Sequence, residues 1–151
     1  LNLFPLIGQE FVKIELSTPT LPDDDKFKGE FFIYKMSQRF KISDREIGYS
    51  LSFMSKEAIV DMNKKLSKTF KGKISETVTQ LITSPEGLES SKPANVEETL
   101  NATKHVSNFW SPLKNINYLA NQAINAKQSP TFLFFENTNG LNFLSLNSLI
   151  G

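Results

Sequence analysis

Apolar and polar positions alternate with a period of two in two stretches of the first third of the chain. In residues 10–16, Val12, Ile14 and Leu16 share one side and Lys13 and Glu15 the other, which predicts a half-buried strand. In residues 47–53, Ile47, Tyr49, Leu51 and Phe53 alternate with Gly48, Ser50 and Ser52, a second strand with its small polar residues outward. Between them, residues 30–37 (Glu-Phe-Phe-Ile-Tyr-Lys-Met-Ser) are apolar or aromatic on both sides. Such a strand needs cover on both faces, from its own core on one and from a neighbouring chain on the other. Pro19 and Pro22 stop the first strand, and Asp23-Asp24-Asp25 begins a solvated loop.

The period then lengthens. Ser55 is placed to cap a helix that carries Ala58, Ile59, Met62 and Leu66 on one stripe. After Gly72 a second helix carries Ile74, Val78, Leu81 and Ile82 and ends before Pro85 and Gly87. Residues 84–95, rich in Ser, Pro, Glu and Gly, read as a linker between subdomains. A short strand is expected around 97–101. Ser111-Pro112 then opens a helix carrying Leu113, Ile116, Leu119, Ala120 and Ile124. Residues 131–136 read as a strand buried on both faces, Asn137-Thr138-Asn139-Gly140 as a turn, and residues 141–146 as the returning strand. The expected fold is α+β. Its parts are a β portion with packed helices over 1–83, a linker over 84–95 and a small α+β subdomain over 96–151.

The chain has 151 residues, enough to bury roughly 70% of its unfolded surface without metals or disulfides. Seventeen basic against sixteen acidic residues give a net charge of +1, which argues against a polyanion-binding protein. Cysteine is absent, which excludes thiolate zinc sites, iron–sulfur clusters, thiol nucleophiles and disulfides. No apolar run approaches the roughly 20 residues of a membrane-spanning helix, so no stable membrane insertion is expected. Thirteen Phe and thirteen Asn suit the strands and turns of a β-containing domain that packs on other chains. With Leu1 first and Gly151 last after an apolar run, the chain reads as a piece of a longer polypeptide.

The chemistry-bearing residues point to no reaction. His105 is the only histidine, no Gly-x-Ser-x-Gly occurs, and neither phosphate-binding glycine pattern is present. Asp23-Asp24-Asp25 lacks the glycine and glutamate offsets of a calcium loop, since Gly29 and Glu30 fall at the wrong positions. Lys56, Lys64, Lys65, Lys68, Lys71 and Lys73 read as the solvated face of the two helices, balanced by Asp44, Glu46, Glu57, Asp61 and Glu76. Asn101-Ala102-Thr103 fits the glycosylation acceptor pattern, which is common by chance. No catalytic, cofactor-binding or metal-binding residue is assigned. The candidate site is an interface formed by Phe31, Phe32, Ile33 and Tyr34 with Tyr49 and Phe53. Strict alternation would put Phe31 and Ile33 on one face and Phe32, Tyr34 and Met36 on the other.

The order of these elements resembles a family. Gly29-Glu30-Phe31-Phe32-Ile33-Tyr34-Lys35 is followed by the strand 48–53, the Ser55 cap and the Lys-rich stretch from Ser67 to Ser75, taken as helical. Then come Phe109-Trp110-Ser111-Pro112-Leu113, a helix to Ala126, and the hairpin from Phe132 to Phe143. Over about Gly8 to Leu149 this is similar to the baseplate hub proteins of contractile-tailed bacteriophages and to the spike proteins of type VI secretion systems. The resemblance implies a structural, non-enzymatic virion protein, assembled in the host cytoplasm. Residues 8–54 would belong to a tube-like antiparallel β-domain, followed by a central helical pair and then the helix-plus-hairpin subdomain. The implied partners are two further copies in a homotrimer, the tail tube and the central spike, with no specific nucleic-acid contact. The alternatives from other classes are a module associated with a cell-wall hydrolase and a glycan-binding tail module using Trp110 or Tyr118.

Overall fold

The computed structural model describes residues 10–19 and 26–150. The fold is α+β and divides into two compact units, Leu1–Ile59 and Val60–Gly151. The acidic run Asp23, Asp24, Asp25 and the expected stop at Pro22 lie outside the described residues.

In the first unit, β1 (Phe11–Leu16), β2 (Phe27–Ser43) and β3 (Glu46–Met54) form an antiparallel sheet in that order. Among the described residues, the strand β1 pairs only with the start of β2, from Leu16 opposite Phe27 to Phe11 opposite Phe32. Beyond Phe32, β2 and β3 continue as a two-stranded ribbon to a turn at Asp44-Arg45. The register shifts three times in this ribbon, between Ile33 and Lys35, Ser37 and Arg39, and Lys41 and Ser43. Each shift leaves one extra residue on β2, namely Tyr34, Gln38 and Ile42. Gln38 takes a positive φ of 52°. Where β2 and β3 pair at Phe40 and Gly48, the phenyl ring lies over the glycine, so a Cβ on Gly48 would meet it at 2.5 Å.

The helix α1 (Lys56–Asn63) follows, with the Ser55 hydroxyl accepting from the Ala58 backbone N–H at 3.3 Å, as the expected cap does. It ends at Asn63, so Leu66 is not on its stripe. Leu66 starts β4 (Leu66–Lys73), and the helical pair expected over 55–83 is interrupted by this strand. The second helix is α2 (Ile74–Thr83), and its stripe Ile74, Val78, Leu81 and Ile82 is buried as its spacing predicts. The Glu76 carboxylate accepts from the Lys73 backbone N–H at 3.2 Å and closes its N-terminus.

Residues 84–95 lie inside the second unit, and the boundary between units falls at Ile59/Val60 instead. The reason is visible locally. Leu88 is fully buried in the core, and the Lys64 ammonium donates to the carbonyls of Pro85 (2.5 Å) and Gly87 (3.1 Å). The strand expected at 97–101 is replaced by β5 (Ala94–Val96) and β6 (Ala102–Trp110) on either side of it. The strand β6 pairs antiparallel with β4. The helix opened by Ser111-Pro112 is α3 (Pro112–Ala120), shorter than expected. Asn101 holds the chain after it: its amide donates to Gln122 O at 2.7 Å and its carbonyl accepts from Ile124 N at 3.1 Å. That engagement occupies the side chain that the acceptor pattern would glycosylate.

The hairpin forms as expected from β7 (Phe132–Asn137) and β8 (Gly140–Ser145), and α4 (Leu146–Ile150) follows. Burial is distributed differently from the expectation. Strand β8 is the covered one, because β5 pairs with its other edge, while Leu133 on β7 stays exposed. The core of this unit joins Phe70, Ile74, Leu81, Leu88, Ile116, Leu119 and Phe143.

Candidate interaction surface

The pairing register sorts the first sheet into two faces. Cross-strand partners share a face, so Val12 opposite Phe31 and Ile33 opposite Phe53 lie together. The Phe31 and Phe53 ring centroids are 5.2 Å apart, and Phe27 stacks on Phe31 at 6.3 Å. Gly29 makes this possible, because a Cβ there would meet the Phe31 ring at 2.5 Å. The extra residue Tyr34 restores the parity so that Met36, opposite Leu51, joins this same face. Strict alternation is therefore corrected: Met36 sits with Phe31 and Ile33, not with Phe32. The opposite face carries Phe32 against Phe11 at 6.4 Å, with the Lys13–Glu30 ion pair at 2.8 Å.

The described residues of this unit cover little of the apolar face. Among the described residues, Ile33 is the sole hydrophobic side chain of this unit that is buried, at 8% exposure. Tyr34 is 56% and Phe53 43% exposed, and Ile47, Leu51 and Met36 are exposed with them. Phe31, Phe32 and Tyr49 are half-buried. The alternation of Ile47, Tyr49, Leu51 and Phe53 is thus correct as a pattern, but the face it defines stays largely open. Of the candidate residues, the structure brings Phe31, Ile33, Tyr49 and Phe53 onto one face and puts Phe32 on the other. Sequence reasoning put Met36 on the other face, because its placement depends on a bulge.

The second unit places its polar residues in self-satisfied clusters. His105 is buried, with its ring between Phe70 (6.2 Å) and Tyr118 (5.4 Å). Asn115 donates to Ser111 O at 2.9 Å, which leaves its Oδ1 to accept from His105 Nε2–H at 2.7 Å. Trp110 is half-buried: Tyr118 packs edge-on at 5.1 Å and the Lys114 ammonium lies 4.7 Å from the ring centre.

Glu97 is held by Ser145 N (2.7 Å), the Ser145 hydroxyl (3.1 Å) and the Asn125 amide (3.2 Å). Burial alone pushes its carboxyl upward, but the hydrogen bonds from Ser145, Ser148 and Asn125 outweigh it and hold the group below the usual range.

Three of the six lysines of the lysine-rich stretch are paired. Lys64 meets Glu89 at 3.5 Å, Lys68 meets Glu86 at 2.5 Å, and Lys73 pairs with Glu98. These partners come from the 84–98 segment rather than from the acids expected nearby. Asp61 instead accepts from the Leu113 backbone N–H at 2.6 Å, at the start of α3.

Among the described residues, no group of three or more His, Asp or Glu side chains could hold a metal ion, and no helix is long and apolar enough to cross a membrane. No protein-family model matches the chain, and no curated protein matches it.

Proposed function

We propose that this chain is a structural virion protein, a segment of a contractile-tail baseplate hub that joins the tail tube to the central spike. In this reading, the face carrying Phe31, Ile33, Met36, Leu51 and Phe53 seals against neighbouring subunits, and the homotrimer is the working form. One observation carries it: a sheet whose described apolar face has a single buried hydrophobic residue, Ile33, in a protein whose other unit has a full core. A monomer normally avoids such a face, and symmetric association covers it in every copy at once. A net charge of +1 is compatible with a ring that must not retain passing DNA.

The test is sedimentation equilibrium with negative-stain electron microscopy on the purified chain and on Phe31→Ser. The expected result is a concentration-dependent trimer with three-fold particles for the native chain and weakened association for the variant. A native chain that stays monomeric at every concentration overturns the reading.

A further inference from the structure

The tip of the β7–β8 hairpin carries chemistry that an assembly role does not use. We propose that Asn139–Gly140 is a site of spontaneous deamidation and isomerisation, which ages the sheet formed by β5, β8 and β7. Asn139 is exposed, and its carboxamide makes no hydrogen bond with any described residue. The next residue has no side chain to shield its nitrogen. In the reaction the Gly140 backbone nitrogen attacks Asn139 Cγ. A new N–Cγ bond forms, the Cγ–Nδ2 bond breaks, and ammonia leaves with the proton from the Gly140 nitrogen. Water then opens the resulting succinimide at one carbonyl to give aspartate, or at the other to give isoaspartate. Nothing is oxidised or reduced.

The other asparagines lack this combination. Asn137 accepts from Asn139 N (2.9 Å) and the Asn142 amide (3.0 Å), and the β-branched Thr138 follows it. Asn115, Asn125 and Asn142 are buried and hydrogen-bonded, and Asn147 sits within α4, where the helical backbone keeps the next nitrogen from its side chain.

The position also gives the reaction a consequence. Isoaspartate routes the main chain through the side-chain carbon and so lengthens the connection by one backbone atom. Asn137 opposite Gly140 closes the hairpin register, and Leu141 N donates to Pro93 O at 2.9 Å where β5 joins β8. Gly140 has a φ of 120° and fits so closely that a Cβ would fall 2.2 Å from Pro93 O. An added backbone atom therefore disturbs both edges of β8.

The experiment incubates the folded full chain at mildly alkaline pH and maps peptides by mass spectrometry with isoaspartate-resolving chromatography. Hydrogen exchange is read on the same aged samples, and Asn139→Gln is the control. The expected result is that Asn139 converts before any other asparagine. Exchange at Leu141–Phe143 rises in step with conversion, and both changes are lost in N139Q. Conversion appearing first at another asparagine overturns the site. Conversion at Asn139 with unchanged exchange at Leu141–Phe143 overturns the ageing of the sheet.

Discussion

Replacing Phe53 with Ser separates what this side chain does within one chain from what the proposed interface requires of it between chains. Phe53 keeps 43% of its surface exposed. An aromatic side chain buries roughly 150–250 Å2 in all, so a neighbour has on the order of 85 Å2 left to cover. At about 25 cal/mol per Å2 this is about 2 kcal/mol per contact, or roughly 30-fold in the association constant. The part already buried, against Phe31 and its cross-strand partner Ile33 among others, is somewhat larger and is worth about 3 kcal/mol to folding. Urea unfolding at high dilution reads the folding loss, and sedimentation velocity over a concentration series reads the association loss. Phe53→Leu, which keeps an apolar contact with Phe31, supplies the association measurement on a fully folded protein. The reasoning is refuted if folded variants associate as tightly as the native chain. It is equally refuted if the dilute monomer loses the full sum of about 5 kcal/mol, because Phe53 would then be covered within its own chain.

Asn115→Ala strips the acceptor from a buried imidazole N–H, and urea unfolding should show a loss of roughly 1–3 kcal/mol, larger than for Tyr118→Phe. Glu97→Ala orphans Ser145 N and leaves the Asn125 amide with the Ser145 hydroxyl alone, with an expected cost of roughly 2 kcal/mol at neutral pH. Because the folded Glu97 carboxyl lies below its unfolded value, its stabilisation is fully present above roughly pH 4.3 and fades as the pH falls through the lower folded value. The native-minus-Glu97→Gln stability difference, followed by acid titration of the melting temperature, should shrink in that window. Limited proteolysis should leave residues 84–95 uncut in the folded second unit, since Leu88 is buried and Lys64 ties Pro85 and Gly87 down; Lys64→Met should speed cutting there.

The parts of the fold that were legible are those where one periodicity stood alone. The stripe of α2, the Ser111-Pro112 start of α3 and the Asn-Gly turn each have a single physical reading. Strand β4 was obscured because Leu66, Phe70 and Ile74 recur every fourth residue, a spacing that fits a helix face and alternate strand positions equally well. The residue that would have decided it, Lys68, shares the face of Leu66 and Phe70 by alternation but is a charged and exposed side chain, its ammonium over the Phe70 ring and on Glu86. Strand β6 was obscured for a related reason: its inward positions are His105 and Ser107, polar residues whose partners, Asn115 and the Leu66 carbonyl, lie far off in sequence or beyond a turn. The apolar face was legible as a pattern, whereas its openness was not, because periodicity shows which residues share a side and not what lies against it.

The three extra residues of β2 bear on what happens before any neighbour arrives. Tyr34, Gln38 and Ile42 fall at every fourth position, all in the half of β2 that β1 leaves unpaired. An unpaired strand edge is a template for endless stacking of identical chains, and it works only while its hydrogen-bonding groups stay evenly spaced. Here the spacing is broken three times in succession. The β2 rim of the ribbon is thereby a poor template for a fibril, whereas the outer rim of β3 carries no extra residue and is not blunted in this way. In the assembly proposed above, each copy would then be guarded along β2 against open-ended stacking, and the outer rim of β3 is where such stacking would have to begin.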